Sequence, residues 1–221
     1  MTLDETMEQL KALGSEAMRQ SNARNGVGEN QFGVKRADLR AMAKVLKTDP
    51  ELASALWQTE NLDAMLLATL VMRPKQIPAE ALDAMVRFVP YLPVADWLGT
   101  HVVKLHPEKE TLRRKWMESD DDMAARAGWS LTAERVEKNP EGLDITTLLD
   151  RIETQMGAAP PPVQWTMNSC LAAIGIHFPE QRERALRIGE KLGVFRDYPT
   201  SKGCTSPFAP LWIAEIVRRQ G

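Results

Sequence analysis

The sequence contains few of the residues that build metal, redox or disulfide sites. Its 221 residues include only two cysteines, Cys170 and Cys204, and three histidines. Two cysteines are too few for the disulfide framework of a small secreted domain. The histidines, His101, His106 and His177, lack the spacing of zinc ligands, and neither a glycine-rich nucleotide loop nor a GxSxG elbow occurs. We therefore expect no metal and no cofactor.

Long apolar runs and alternating strand patterns are also missing. No stretch approaches the roughly 20 continuous apolar residues of a membrane span. The N-terminal segment MTLDETMEQLKALG is acidic and amphipathic, unlike a basic leader followed by an apolar run. Apolar residues recur instead at helical spacing from one end of the chain to the other. We predict an all-α protein that is cytoplasmic, not associated with a membrane, and monomeric.

The chain has no excess of positive charge, because 28 lysines and arginines stand against 30 aspartates and glutamates. Binding to nucleic acid would therefore require the basic residues to gather on one face. The segment QFGVKRADLRAMAKVLK, residues 31–47, shows such a concentration on one predicted helix that begins near Val34. Its basic residues are Lys35, Arg36, Arg40, Lys44 and Lys47.

Two interpretations of this segment stay open. Lys35 and Arg36 lie where the helix dipole is already positive, so a phosphate bound by the backbone N–H groups and both side chains would relieve the crowding. The alternative is a solvated basic face that is partly paired with Asp38. Gly26, Gly28 and Gly33 are expected to make the approach to this helix flexible.

Helix breakers and caps divide the rest of the chain into segments of about a dozen residues each. Taken in twos, these segments predict helical hairpins that begin near residues 50, 78, 108, 143 and 179, close to the ~40-residue period of HEAT-type repeats. A single hairpin cannot bury its own apolar face, whereas stacked hairpins can. We predict one domain over residues 1–221, a HEAT-like solenoid with a concave face. A compact helical bundle is the alternative.

The segment from residue 91 to 116 is the richest in candidate site residues. Trp97 and His101 lie four apart on one predicted helix, and Lys104 follows about one turn later, so an indole, an imidazole and an ammonium would share a face. Arg113, Arg114 and Lys115 are expected to add a positive rim from the next helix. The alternative is that Trp97 packs in the core and His101 is a solvated neighbour.

Arg126 lies among the small residues of MAARAGW, a context that permits close helix packing. An arginine in such a place is costly to bury unless an anion or an acid meets it. The acids just before it, Asp120 to Asp122, are at a helix start and are interpreted as caps rather than metal ligands.

Three segments together, FGVKRADLRAMAK, DWLGTHVVKLHP and MAARAGWSLTAERV, resemble the DNA alkylation repair proteins of the AlkD-like glycosylase family. The resemblance covers nearly the whole chain and includes the element Phe32-Gly33-Val34 followed by Leu39-Arg40. It implies a HEAT-like solenoid whose basic concave surface holds duplex DNA. It also implies a hydrolase that excises cationic N3- or N7-alkylated purines without a cofactor.

The resemblance also assigns roles to particular residues. The family's characteristic tryptophan matches Trp97, its later arginine matches Arg126, and Trp165 stands for a second aromatic residue. The family's catalytic aspartate is expected four residues after the tryptophan, where this chain has His101. Neither protonation state of a histidine replaces a carboxylate beside a positively charged sugar. Asp96 points about 100° away from Trp97 on an ideal helix.

These residues leave two hypotheses about function. The first is a DNA repair protein, a glycosylase with Trp97 as aromatic stabiliser, His101 or Asp96 as water-orienting group and Arg126 as phosphate clamp. Its expected DNA contacts are Lys35, Arg36, Arg40, Lys104, Arg113, Arg114 and Trp165. The second hypothesis is a non-catalytic helical-repeat scaffold that binds protein or unusual DNA structures.

Overall fold

A computed structural model describes residues 1–201 and 203–220, and over these residues the regular structure is entirely helical. Thirteen α-helices form in this part of the chain, and three short 3₁₀ turns accompany them. The helices are α1 Leu3–Leu13, α2 Glu16–Arg24, α3 Arg36–Leu46, α4 Pro50–Gln58, α5 Leu62–Val71, α6 Ala79–Phe88, α7 Leu92–His101, α8 Lys109–Met117, α9 Asp122–Lys138, α10 Ile145–Gln155, α11 Pro161–His177, α12 Pro179–Leu192 and α13 Ala209–Gln220. The all-α prediction is confirmed.

Local capping groups set the starts of several helices. The side chain of Asp49 accepts a hydrogen bond from the Leu52 N–H at 3.0 Å, and Pro50 follows it at the first helical position. Asn61, Asp121 and Asp144 cap α5, α9 and α10 in the same way. Because these signals are local, hairpin starts predicted near 50, 78, 108, 143 and 179 agree with helices that begin at residues 50, 79, 109, 145 and 179.

The chain divides into two compact units, Met1–Lys109 and Glu110–Gly221. In the first unit the central element is α5, which packs against α3, α4 and α7. Its residues are buried from Leu62 to Thr69, and Val71 is buried too, so α5 has no solvent-facing stripe of the usual kind. Because α3 and α7 both pack against α5, the two helices contribute to the same core.

In the second unit the central element is α11, which packs against α9, α10, α12 and α13. Its buried side chains include Met167, Cys170, Leu171 and Ile174. Close approach of α8 and α9 depends on Gly128, since a Cβ there would lie 2.8 Å from the Met117 nitrogen. The close packing predicted around Arg126 is thus present.

Helix α3 differs from its predicted start. We predicted a start near Val34, whereas the first helical residue is Arg36 and Lys35 is the N-cap, without a capping side-chain hydrogen bond. The reason lies outside the segment, because the backbone from Phe32 to Val34 is held in a non-helical turn by a buried carboxylate described below. Among the helices of the described residues, none is long and apolar enough to span a bilayer.

Candidate functional site

A buried carboxylate fixes the turn that leads into α3. Asp63, which is 1% exposed, accepts hydrogen bonds from the backbone N–H groups of Phe32, Gly33 and Val34 at 2.6, 2.9 and 3.0 Å. Three N–H donors are a favourable environment for a buried carboxylate. The charge of Asp63 therefore determines where α3 begins.

Gly33 completes this turn and is not flexible, contrary to the sequence prediction. Its φ is +78°, and an added Cβ would lie 2.5 Å from the carbonyl oxygen of Ser15. The Ser15 N–H also donates to the Gly33 carbonyl at 3.0 Å. Only glycine fits this backbone conformation and this close approach.

The basic segment forms an exposed face on α3. Lys35, Arg36, Arg40, Lys44 and Lys47 are all exposed, and none of them has an ion pair or hydrogen bond through its side chain to the residues described, 1–201 and 203–220. Arg36, Arg40 and Lys44 are spaced four apart, so they follow one stripe of the helix. The partial pairing with Asp38, which the alternative interpretation proposed, is absent within the same residues. We call these five side chains the α3 basic face.

Arg40 brings the α3 basic face to the predicted tryptophan. Its guanidinium carbon lies 5.0 Å from the centroid of the Trp97 ring, within the range of a cation–π contact. His101 meets the same indole edge-on, with ring centroids 5.4 Å apart. The structure therefore brings together three of the predicted site residues from helices α3 and α7.

The indole of Trp97 is largely buried. Trp97 is only 6% exposed and belongs to the core of the first unit, as the alternative interpretation proposed. Its ring nevertheless contacts Arg40, which is exposed, and His101, which is half-buried. Trp97 is thus a core residue with polar neighbours at the surface.

The surroundings of the His101 imidazole favour its neutral form. Burial lowers its pKa below the ordinary value of 6.5, and the positive charge of Arg40 lowers the pKa further. At neutral pH this position therefore offers an uncharged ring, where the family resemblance leads us to expect a carboxylate. It cannot supply negative charge next to the indole.

Asp96 and Lys104 do not join the group around Trp97. Asp96 is exposed whereas its neighbour Trp97 is buried, as expected from the 100° step of the helix. Lys104 was predicted on the stripe of Trp97 and His101, but α7 ends at His101 and Lys104 lies in a 3₁₀ turn, Val103–Leu105. That prediction of a shared helix was wrong because Val102 leaves helical geometry.

Arg113, in the second unit, is buried and does not form part of the exposed basic rim that we predicted. Its side chain is 10% exposed, donates two hydrogen bonds of 2.8 Å to the Glu110 carboxylate, and donates a third to Thr132. Arg114, whose side chain is 74% exposed, and Arg135 also pair with Glu110. Arg113 is therefore occupied inside the unit, whereas the other two predicted rim residues, Arg114 and Lys115, are exposed.

Arg126 and Trp165 are the remaining candidates in the second unit. Arg126 is buried at 8% exposure in α9, and it is not a free side chain. Trp165 is 38% exposed near the start of α11 and contacts Phe195 and Tyr198, with ring centroids 5.1 and 5.7 Å away. Trp165 thus belongs to a partly exposed aromatic cluster. In the described part of the chain no three His, Cys, Asp or Glu side chains converge as metal ligands.

Sequence reasoning missed Asp63 and the partners of Trp165. Asp63 is the single charged residue in the apolar segment LDAMLLATLV, and a lone acid in a helix without a polar face is a usable signal. Phe195 carries no such signal, since its φ of +62° and its contact with Trp165 arise from the connection between α12 and α13.

The fold places the protein in the class of HEAT-like helical-repeat proteins. A solved structure matches with a TM-score of 0.81 and 25% identity, over 100% of this chain and 95% of that chain. It is described as a member of a new family of proteins related to the HEAT-like repeat DNA glycosylases with affinity for branched DNA structures. The predicted HEAT-like repeat fold is thereby confirmed.

The chain belongs to the DNA alkylation repair enzyme family, whose model matches residues 6–209. An uncharacterized protein of Listeria monocytogenes is 23% identical over 191 residues, which cover 85% of this chain and 84% of the relative. An uncharacterized protein of Listeria innocua is 22% identical over the same shares of both chains. The family resemblance inferred from the sequence is confirmed.

Proposed function

We propose that this protein binds DNA through the α3 basic face, prefers branched DNA over linear duplex, and does not excise bases. The observation that carries the proposal is the α3 basic face itself. Five exposed cations without acidic partners among the described residues are available to neutralise phosphates. The arginines of the second unit at Arg113, Arg184 and Arg218, in contrast, are paired with acids.

The preference for branched DNA is supported by the solved structure that matches the whole chain, since that protein is described as having affinity for such structures. A junction presents several duplex arms, so a basic face of one helix can contact phosphates of an arm. Duplex DNA, the partner expected from the sequence, is retained in this proposal as the arms of the junction.

The proposed absence of excision is supported by His101. Hydrolysis of a glycosidic bond develops positive charge on the sugar, and a carboxylate stabilises that charge electrostatically. A neutral imidazole does not supply this charge, and Asp96 lies on another side of α7. We therefore propose that the fold has kept DNA binding without base excision.

Excision of cationic N3- or N7-alkylated purines is the second candidate. It is favoured by the membership in the DNA alkylation repair enzyme family and by the aromatic ring of Trp97 at the matching position. In that case His101 would orient the attacking water, and Arg126 would hold a phosphate.

One experiment separates the two candidates. Fluorescence anisotropy compares a four-way junction with a linear duplex of the same arm sequence, and we expect the junction to bind at least about tenfold more tightly. The same preparations are incubated with duplex that contains N7-methylguanine, and the released base is measured by chromatography. We expect no release above the protein-free control.

The outcomes are distinct. Equal affinity for junction and duplex overturns the preference for branched DNA. Base release that is lost in Trp97→Phe and His101→Gln establishes the second candidate. Absence of binding to either DNA overturns both.

A further inference from the structure

Arg40 occupies a position that a bound organic cation would take. Its guanidinium lies 5.0 Å from the Trp97 centroid, and planar cations bind aromatic faces at such distances. Arg40 and Trp97 come from α3 and α7, and the packing of both helices on α5 places the exposed Arg40 beside the buried indole. The indole is thereby in contact with a cation of its own chain.

Arg40 is also held there without an acid. Within residues 1–201 and 203–220 its side chain has no ion pair or hydrogen bond, and its recorded partner is the indole. An exposed arginine without a carboxylate is ordinarily free to sample many rotamers in water. Stacking on the aromatic ring favours one rotamer of the Arg40 side chain.

Within residues 1–201 and 203–220, the ring contacts of Trp97 are with Arg40 and His101, and neither group is a carboxylate. Next to Arg40 the indole contacts His101, whose ring is neutral near pH 7. A cationic ligand at this face would meet the positive charge of Arg40 at close range. Entry of such a ligand therefore requires Arg40 to leave.

We propose that Arg40 is a specificity-determining residue that fills the cation-binding face of Trp97 and so excludes planar organic cations, alkylated purines among them. The proposal deepens the proposed function and rests on it, because it explains how a protein of this family binds DNA without taking up a cationic base. A guanidinium that is stacked on the indole can still donate hydrogen bonds from its N–H groups to a phosphate oxygen.

The test uses a permanent planar cation, 1-methylnicotinamide, with neutral nicotinamide as its matched control. Binding is followed by two-dimensional NMR of the indole N–H signals, and the Trp97 signal is assigned by its loss in Trp97→Phe. We expect no saturable shift of the Trp97 signal in the wild-type protein. In Arg40→Ala we expect saturable binding of the cation, at least about tenfold tighter than in the wild-type protein and than nicotinamide.

Two further variants keep the test specific. Arg40→Met covers the indole with an uncharged, unbranched and flexible side chain, and we expect it to exclude the cation as Arg40 does. Arg24→Ala removes an exposed arginine of α2 in the same unit, and we expect wild-type behaviour. Because Arg40 is exposed, we expect each variant to fold. Indole and amide spectra like those of the wild-type protein verify this.

Saturable binding of 1-methylnicotinamide to the wild-type protein at Trp97 overturns the proposal. Failure of 1-methylnicotinamide to bind a folded Arg40→Ala variant also overturns the proposal. DNA affinity is measured on the same samples, and its absence in the wild-type protein would remove the proposed function while the ligand titration still reports on Arg40. Failure of one is thus distinguishable from failure of the other.

Discussion

Among the single side chains, Asp63 links the interior of the first unit to its basic surface. Its carboxylate binds the three N–H groups of residues 32 to 34, and α3 begins two residues later at Arg36. Gly33 allows the chain to pass Ser15 closely at that point. A buried acid therefore positions exposed bases without contacting them.

We expect Asp63→Asn to destabilise the protein by about 3 kcal/mol, because hydrogen bonds to a charged acceptor are lost and an amide NH₂ faces buried N–H donors. Unfolding in urea, followed by circular dichroism, measures the change. The control is Asp197→Asn, an exposed aspartate, for which we expect less than about 0.5 kcal/mol. Equal stability of Asp63→Asn and wild type contradicts the assigned role.

The single residues also mark where sequence reasoning stops. It identified Arg40, Trp97 and His101 as candidates, but their mutual contacts depend on how α3 and α7 pack on α5. It placed Arg113 at an accessible rim, whereas the helix turns this residue toward Glu110 and Thr132. Helical spacing does not reveal which of several neighbouring arginines faces the interior.

Between helices, Glu110 forms the clearest ionic connection in the second unit. Its carboxylate forms ion pairs with Arg113 and Arg114 of α8 and with Arg135 of α9, and the shortest N···O distances are 2.8 Å. Hydrogen bonds from Arg113 are the main cause that lowers the pKa of Glu110 from 4.5 to about 2, and burial opposes them. The carboxylate thus ties α8 to α9 in its ionised form.

We expect this connection to make stability depend on acid pH. Since the pKa of Glu110 is lower in the folded protein, its contribution is complete above about 4.5 and is lost as the pH falls toward about 2. Urea unfolding at a series of pH values measures it. Glu110→Gln should be less stable than wild type at pH 6, and the two curves should converge as pH 2 is approached. The carboxylate is 37% exposed, so solvent screening reduces the size of the effect.

The matched control is Glu137→Gln, an exposed glutamate at the end of α9. We expect it to follow the wild-type curve to within about 0.5 kcal/mol. A constant difference between Glu110→Gln and wild type from pH 6 to pH 2 contradicts the ionic role.

The helices themselves were largely predictable, because their starts depend on residues next to them. Asp49 with Pro50, Asn61, and Asp144 act within three residues of the groups that they cap. The start of α3 was not predictable in this way, since it depends on Asp63, about 30 residues further along the chain. Local sequence signals determine where helices form, and long-range hydrogen bonds can shift the residue at which a helix begins.

In the molecule as a whole, the distribution of charge matters more than its sum. The net charge is −2, yet five bases and one acid occupy residues 35–47. Many other arginines are paired with acids, for example Arg187 with Glu183 and Arg219 with Glu215. DNA affinity should therefore depend on one helix and not on total basic content.

Salt dependence measures this distinction. The logarithm of the DNA association constant falls linearly with the logarithm of salt concentration, and each phosphate neutralised contributes about 0.9 to the slope. We expect the triple variant Arg36→Gln, Arg40→Gln and Lys44→Gln to weaken binding and to reduce the slope by about 3. Anisotropy titrations of the junction between 50 and 200 mM salt, about the range over which such slopes are measured, give both quantities.

The control removes the same amount of positive charge elsewhere. Arg187→Gln, Arg218→Gln and Arg219→Gln eliminate three exposed arginines that are paired with acids in the structure. Because net charge changes equally in both triple variants, a general electrostatic effect would weaken both alike. We expect the control to keep a slope close to that of the wild type, and equal losses in the two variants would contradict a binding face on α3.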